Sequence, residues 1–221
     1  MMFLKFRSAW LAVIAISLNI ATLSTLVAED DVKPVAEKPA DEKPTDEKPT
    51  DGDAKAVKTV EVKLKGLVLN VPESWKQSQP TSRLRLGQFA IPKVKGDEED
   101  GELAIFNFGG GGDVKANVDR WVGQFTAEGR ESKVTKGPIE NGQYVLVEIT
   151  GTYLKPVGPP IQRKTVAASG SRMLGVILGR EDIGLFFMKM TGPDKTVKAQ
   201  AEALRKSFGA DVKKEEPLEF K

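Results

Sequence analysis

Two dense apolar segments, Met173–Leu178 and Leu185–Met190, are separated only by the charged turn Arg180-Glu181-Asp182-Ile183-Gly184. They constrain the fold of this chain more than any other feature. Each is nearly continuous in hydrophobic residues instead of alternating, the pattern of a strand covered on both faces. They are therefore expected as central strands of a sheet.

The remaining segments supply the other strands and what covers them. Thr59 to Val71 reads as a strand in which Val60, Val62 and Leu64 alternate with charged residues until Gly66 breaks the rhythm. Pro72-Glu73-Ser74-Trp75 follows as a turn ending in an aromatic anchor. Arg83 to Ile91 is a second strand; Leu84 and Leu86 are out of phase with Phe89 and Ile91, which predicts a bulge near Gly87. Glu102 to Phe108 should pair with it across the polar turn Lys93 to Gly101. Ser132 to Thr135 is a short strand, and Gln143 to Leu154 alternates Val145, Val147 and Ile149 against Tyr144, Leu146 and Glu148. Lys155 to Arg163, with Pro156, Gly158, Pro159 and Pro160, reads as a loop.

Two helices are expected. Asp113 is a good N-cap for one presenting Val114, Val118, Trp121, Val122 and Phe125, with Gly129 as its stop. Gly192-Pro193-Asp194 opens the other, which presents Val197, Ala201, Leu204 and Phe208 and stops at Gly209. The fold class is thus α+β: a mainly antiparallel sheet of about six to seven strands with two packed helices, one domain over residues 58–210. Residues 211–221 form a charged, flexible tail that should fray.

The N-terminus is of a different kind. Lys5 and Arg7 precede an uncharged stretch of 21 residues, Ser8 to Ala28, which ends abruptly at Glu29, Asp30 and Asp31. This is the layout of a secretory signal peptide over residues 1–28. The stretch is also long enough to span a bilayer, so an uncleaved anchor is the alternative. Residues 29–57 carry a net charge of −5 and hold tandem pentads such as Glu42-Lys43-Pro44-Thr45-Asp46 and Glu47-Lys48-Pro49-Thr50-Asp51. A proline in each pentad blocks a helix and no apolar face is present, so a disordered, solvated spacer is expected.

Histidine and cysteine are both absent. Disulfides, thiolate nucleophiles, imidazole bases and His-containing metal sites are excluded with them. Residues 58–210 carry +6, with charges of both signs interspersed and no dense basic run, so nucleic acid is not an expected partner.

Several local patterns coincide with those of known proteins. The segments Leu84-Arg85-Leu86-Gly87-Gln88-Phe89, Ala116-Asn117-Val118-Asp119-Arg120-Trp121-Val122-Gly123-Gln124-Phe125, Thr150-Gly151-Thr152-Tyr153 and Phe186-Phe187-Met188-Lys189-Met190-Thr191-Gly192-Pro193 resemble those of a family of exported bacterial proteins with no assigned activity, over most of residues 67 to 208. The element order is also similar to the PsbP-like α/β/α sandwich of extrinsic photosystem proteins and Ran-binding proteins of the Mog type. The resemblance implies export and architecture and carries over no catalytic residue.

Three features invite a functional reading. Asn117, Arg120 and Gln124 fall at i, i+3 and i+7 beside Trp121, a helical face able to offer hydrogen bonds and a stacking surface to a glycan, peptide or acidic ligand. The bland alternative makes Trp121 core, with Arg120 and Gln124 tying the helix to the sheet. Trp75 and Tyr153 are further aromatic candidates for such a pocket. Gly110, Gly111 and Gly112 could present amides to an anion at a helix N-terminus, against which Asp113 can cap those amides itself. Asp97-Glu98-Glu99-Asp100-Gly101-Glu102 could supply oxygen ligands to calcium, but its spacing is not that of an EF-hand loop and a solvated turn explains it. No metal and no cofactor is assigned.

The function expected is an exported cell-envelope protein, periplasmic or secreted, whose domain is a non-enzymatic binding or accessory domain on a flexible tether, with an envelope protein or small ligand as its partner. Membrane contact would come only through an uncleaved N-terminal segment. The alternative is a carboxylate-dependent hydrolase or carbohydrate-active enzyme using two Asp or Glu side chains.

Overall fold

A computed structural model describes residues 57–109 and 112–220. The leader and all but the last residue of the acidic spacer lie outside the described residues. The chain runs β1 (Thr59–Leu64), β2 (Leu67–Pro72), β3 (Lys76–Ser78), β4 (Arg85–Ile91), β5 (Gly101–Phe106), α1 (Val114–Val122), β6 (Glu131–Ile139), β7 (Gly142–Pro156), β8 (Thr165–Arg180), β9 (Gly184–Pro193), α2 (Asp194–Ala199), α3 (Ala201–Ser207) and β10 (Glu216–Pro217). Eight strands form one sheet in the order β10-β6-β7-β8-β9-β5-β4-β3, and β1 pairs with β2 in a second sheet. All these pairings are antiparallel.

The continuous apolar character of β8 and β9 has the expected cause: both are interior strands of the large sheet, with a layer on each face. Leu174, Val176, Leu178, Phe186, Met188 and Met190 point into one core, which also holds Leu67, Leu69 and Val71 of β2, Trp75, and Val197, Leu204 and Phe208 of the last two helices. Met173, Ile177 and Phe187 point the other way, into a smaller core with Val118 and Trp121 of α1, Phe125 and Tyr153. β7 divides in the same manner, Tyr144 and Leu146 to the first core and Val147 and Ile149 to the second.

Ten strands in two sheets replace the expected six to seven, for local reasons. Gly66 does more than interrupt a strand: Lys65 and Gly66 have φ of 49° and 87°, so they make a two-residue turn of positive φ and fold Thr59–Val71 into the β1–β2 hairpin. The short β3 and β10 are edge strands, too brief to show a period of two. β6 is nine residues long, against an expected Ser132 to Thr135, because it pairs with β7 from Glu131 to Ile139, with β10 beside it at Thr135 and Lys136. The segment Lys155–Arg163, expected as a loop throughout, keeps strand pairing to Pro156↔Thr165 before it turns. At Gly87 the register of β4 against β5 shifts, the expected bulge, and it brings Leu86 to the same core as Phe89 and Ile91.

The helices also differ from expectation. α1 is capped as predicted, Asp113 Oδ1 accepting from the Ala116 N–H at 2.6 Å. It ends at Gly123, six residues before Gly129, and Arg130 closes its end by donating to the carbonyls of Val122 and Phe125, each at 3.2 Å. The last helix is two, broken at Gln200, where φ of −98° and ψ of 0° leave helical values while the side chain accepts the Trp75 indole N–H at 3.0 Å. The first part of the C-terminal tail is tied down: Glu215 accepts from Arg205 Nε at 2.6 Å and from the Tyr144 hydroxyl at 2.7 Å, which seats β10 on β6. Among the described residues no helix is long and apolar enough to cross a membrane.

Candidate functional site

The face of the sheet that carries α1 is only partly covered. Beyond the helix, β9, β5 and β4 present residues of one parity: Lys189 and Thr191, Glu102, Ala104 and Phe106, and Arg85. The register fixes their neighbours as Ala104↔Lys189, Glu102↔Thr191 and Arg85↔Phe106. Tyr153, Lys155 and Ser171 from the ends of β7 and β8 close one side, and Glu99 and Asp100 another. The result is an open groove of about 410 Å³, within the size range of small-molecule sites.

Lys189 is the unusual member. It stands in the middle of the apolar run Phe186-Phe187-Met188-Lys189-Met190, and its side chain is half-buried. It donates to Gln124 Oε1 at 2.6 Å and to the Tyr153 hydroxyl at 2.9 Å, and lies 5.0 Å from the centre of the Tyr153 ring. Both acceptors are neutral. Among the described residues, no carboxylate forms an ion pair with it within 4 Å. Burial pushes its pKa down to about 8, with Arg85 and Arg120 adding to the effect and Glu102 opposing it. Burial, helped by Glu102, pushes the Tyr153 hydroxyl up to about 12. At neutral pH the pair is therefore an ammonium against a neutral phenol that retains a proton to donate.

Arg85 forms the second cationic point. Its guanidinium is 5.9 Å from the centre of the Phe106 ring and donates to Gln88 Oε1 at 2.8 Å, with Glu102 Oε1 at 2.9 Å. The other groove carboxylates are also held: Glu99 accepts from Lys155 Nζ at 2.7 Å and Asp100 from the Lys93 N–H at 3.0 Å. Asp97, in the same acidic turn, accepts from both the N–H and the hydroxyl of Thr196. The turn is thus a network of internal bonds, and among the described residues no group of acidic side chains has the arrangement of a metal site.

The structure separates the four residues of the expected helical face. Trp121 is 4% exposed and packs over β8, so it has no free ring for stacking. Asn117 and Arg120 stay on the exterior, joined by a hydrogen bond of 2.6 Å from Arg120 Nη2 to Asn117 Oδ1. Gln124 lies beyond the end of α1 and turns to Lys189. Tyr153 lines the groove, whereas Trp75 belongs to the core on the opposite face. Gly110 and Gly111 lie outside the described residues; Gly112 is exposed and directly precedes the capping Asp113. Lys189 and Arg85 were not singled out from the sequence, and Glu102 only as part of the acidic turn, although a lone charge inside an apolar strand is a signal for the first. The other two join it only through the β4-β5-β9 order.

A comparison with models of known protein families finds no match, and neither does a search of curated proteins.

Proposed function

We propose that the chain is an exported cell-envelope protein whose folded domain is a binding or accessory module, with the groove around Lys189 as its site for a small anionic ligand. One observation carries the ligand class: a half-buried, partly desolvated ammonium has neutral hydrogen-bond partners and, among the described residues, no carboxylate in an ion pair with it. A buried charge without a counter-ion is costly, and a ligand carboxylate or phosphate would supply one. The Tyr153 hydroxyl is placed to donate to the same group. Arg85 and Phe106 offer a charged and an apolar surface to the rest of the molecule.

Export rests on the basic, apolar and acidic succession of the first 31 residues, and the proline-rich acidic segment after it suits a spacer. Helices on both faces of an antiparallel sheet support the PsbP-like reading of the architecture. The groove carboxylates favour binding over hydrolysis, since Glu99, Asp100 and Glu102 are each engaged by a basic side chain or a backbone amide.

Thermal unfolding of the full chain with acetate, phosphate, sulfate and a series of larger carboxylates tests the ligand class. At least one anion should raise the melting temperature of the wild type and leave Lys189→Met unmoved. Equal responses in both proteins, or none in either, would remove the groove as the site.

A further inference from the structure

The paired strands β7 and β8 outrun their neighbours. β6 accompanies β7 only from Gly142 to Thr150, and β9 accompanies β8 only from Ser171 to Arg180. The segment Gln124–Thr126 still flanks β7 as far as Leu154; beyond it the ladder continues alone to Pro156↔Thr165 and closes through a single 3-10 turn at Pro160–Gln162. Lys155–Pro159 and Ile161–Ala167 of this arm are exposed. Its apex carries Ile161, which is 90% exposed, together with Val157 and Val166. Arg163 and Lys164 stand immediately beside it.

Three properties of the apex belong together. The first is a cluster of aliphatic side chains in water, away from either core. The second is charge: Arg163 and Lys164 beside the apex form no ion pair among the described residues, and from Ile149 to Arg180 the sequence contains no Asp or Glu; Lys155, at the base of the arm, is paired with Glu99. The third is the backbone. Pro156, Pro159 and Pro160 have no N–H, the Val157 N–H is used on the Lys164 carbonyl and the Gln162 N–H on the Pro159 carbonyl. A loop with so few free donors loses little on leaving water. An apolar tip flanked by two cations, Arg163 and Lys164, and poor in free N–H groups has the composition of an interfacial membrane anchor.

We propose that the β7–β8 arm docks on an anionic lipid surface, Ile161 and Val157 entering the interface while Arg163 and Lys164 meet the headgroups. The chain contains no cysteine, so Ile161→Cys and Glu181→Cys each give a single labelling position, at opposite ends of β8. Full-length chains carrying an environment-sensitive fluorophore at one or the other are mixed with vesicles of phosphatidylcholine alone or with about one third phosphatidylglycerol. The proposal expects emission at position 161 to rise at least three-fold and shift to the blue on the anionic vesicles, with position 181 unchanged. Adding Arg163→Glu and Lys164→Glu should abolish most of the rise. A response of equal size at both positions would trace association to another segment and overturn the assignment. So would no response at 161, or one indifferent to phosphatidylglycerol.

Discussion

The Lys189 amine lies 2.9 Å from the Tyr153 hydroxyl, and among the described residues no carboxylate forms an ion pair with it. A folded-state pKa of about 8 against an ordinary value of 10.5 means that folding strips part of the hydration from a charge. The destabilisation is full below pH 8 and disappears as pH climbs from 8 towards 10.5. Tyr153 acts later: its raised pKa favours the folded state until the unfolded phenol ionises near pH 10, so the window from 8 to 10 reports Lys189 alone. Lys189→Met should therefore be more stable than the wild type by about 1–2 kcal/mol at pH 7, below the roughly 3 kcal/mol ceiling set by the shift, because the groove stays partly solvated. The advantage should shrink between pH 8 and 10 in urea titrations. A binding residue that weakens the fold is the usual trade.

Trp121 packs against a glycine, and the fit leaves no room for a methyl group. A Cβ at Gly175 would stand 2.4 Å from Trp121 Cε3 and 3.0 Å from Val147 Cγ1. β8 is held by partners on both sides, so the backbone cannot retreat. Gly175→Ala should cost about 2 kcal/mol by overpacking. Combined with Trp121→Leu, which makes space and is itself destabilising, the change should be much less than additive in a double-mutant cycle. Additive losses would show that the indole does not sit where α1 puts it.

That contact also marks how far the sequence could be read. Val114, Val118 and Trp121 gave the buried stripe of α1 through their spacing, and Asp113 gave its start; both are local signals. The end was misplaced because the helix stops at Gly123, whose φ of −66° is not the left-handed conformation a glycine stop signals, and Arg130 closes it from outside the helix, a contact that leaves no mark in the periodicity. Gly87 revealed its bulge because it shifted the phase of four apolar residues around it. Lys65 and Gly66 hid a hairpin because the shift of alternation across them, from Val60, Val62 and Leu64 to Leu67, Leu69 and Val71, is also what a break within one strand would give. The groove was less legible still. Gln124 was noted for helical company with Asn117 and Arg120, yet its partner is Lys189, which the strand order brings to it across 65 residues of sequence.

Glu215 fastens the C-terminal segment to the body of the domain. Arg205 holds it with two bonds, at 2.6 and 3.2 Å, and Tyr144 and Thr135 add two more. Burial alone would raise the carboxyl, but Arg205 and Tyr144 outweigh it and hold the group below its ordinary value. The carboxylate therefore stabilises the fold above the ordinary range near 4.5, and that contribution is lost as pH falls through its lower folded value. Glu215→Gln should cost roughly 3 kcal/mol at pH 7 by leaving Arg205 buried without a counter-ion. Its deficit should close on acidification. Arg205→Met with Glu215→Leu should recover most of the loss, since a well-packed apolar pair removes both desolvation costs.

Protonation offers the sharpest check on the ligand class. An anion seated against Lys189 stabilises the ammonium and so raises its pKa above about 8 in the complex. At pH 6.5 the amine is already charged in the free protein, and binding should proceed with no exchange of protons. At pH 8.5 most of the free amine is neutral, so binding should take up a large fraction of one proton, and apparent affinity should fall as pH rises. Calorimetry of the best-bound anion, in two buffers of different ionisation enthalpy at each pH, reads that uptake directly. Uptake at 8.5 but not at 6.5, absent in Lys189→Met where weak binding persists, would place the anion on the amine. Binding without uptake at pH 8.5 would put the anion on another cation of the groove, Arg85 first, because a guanidinium stays charged throughout this range.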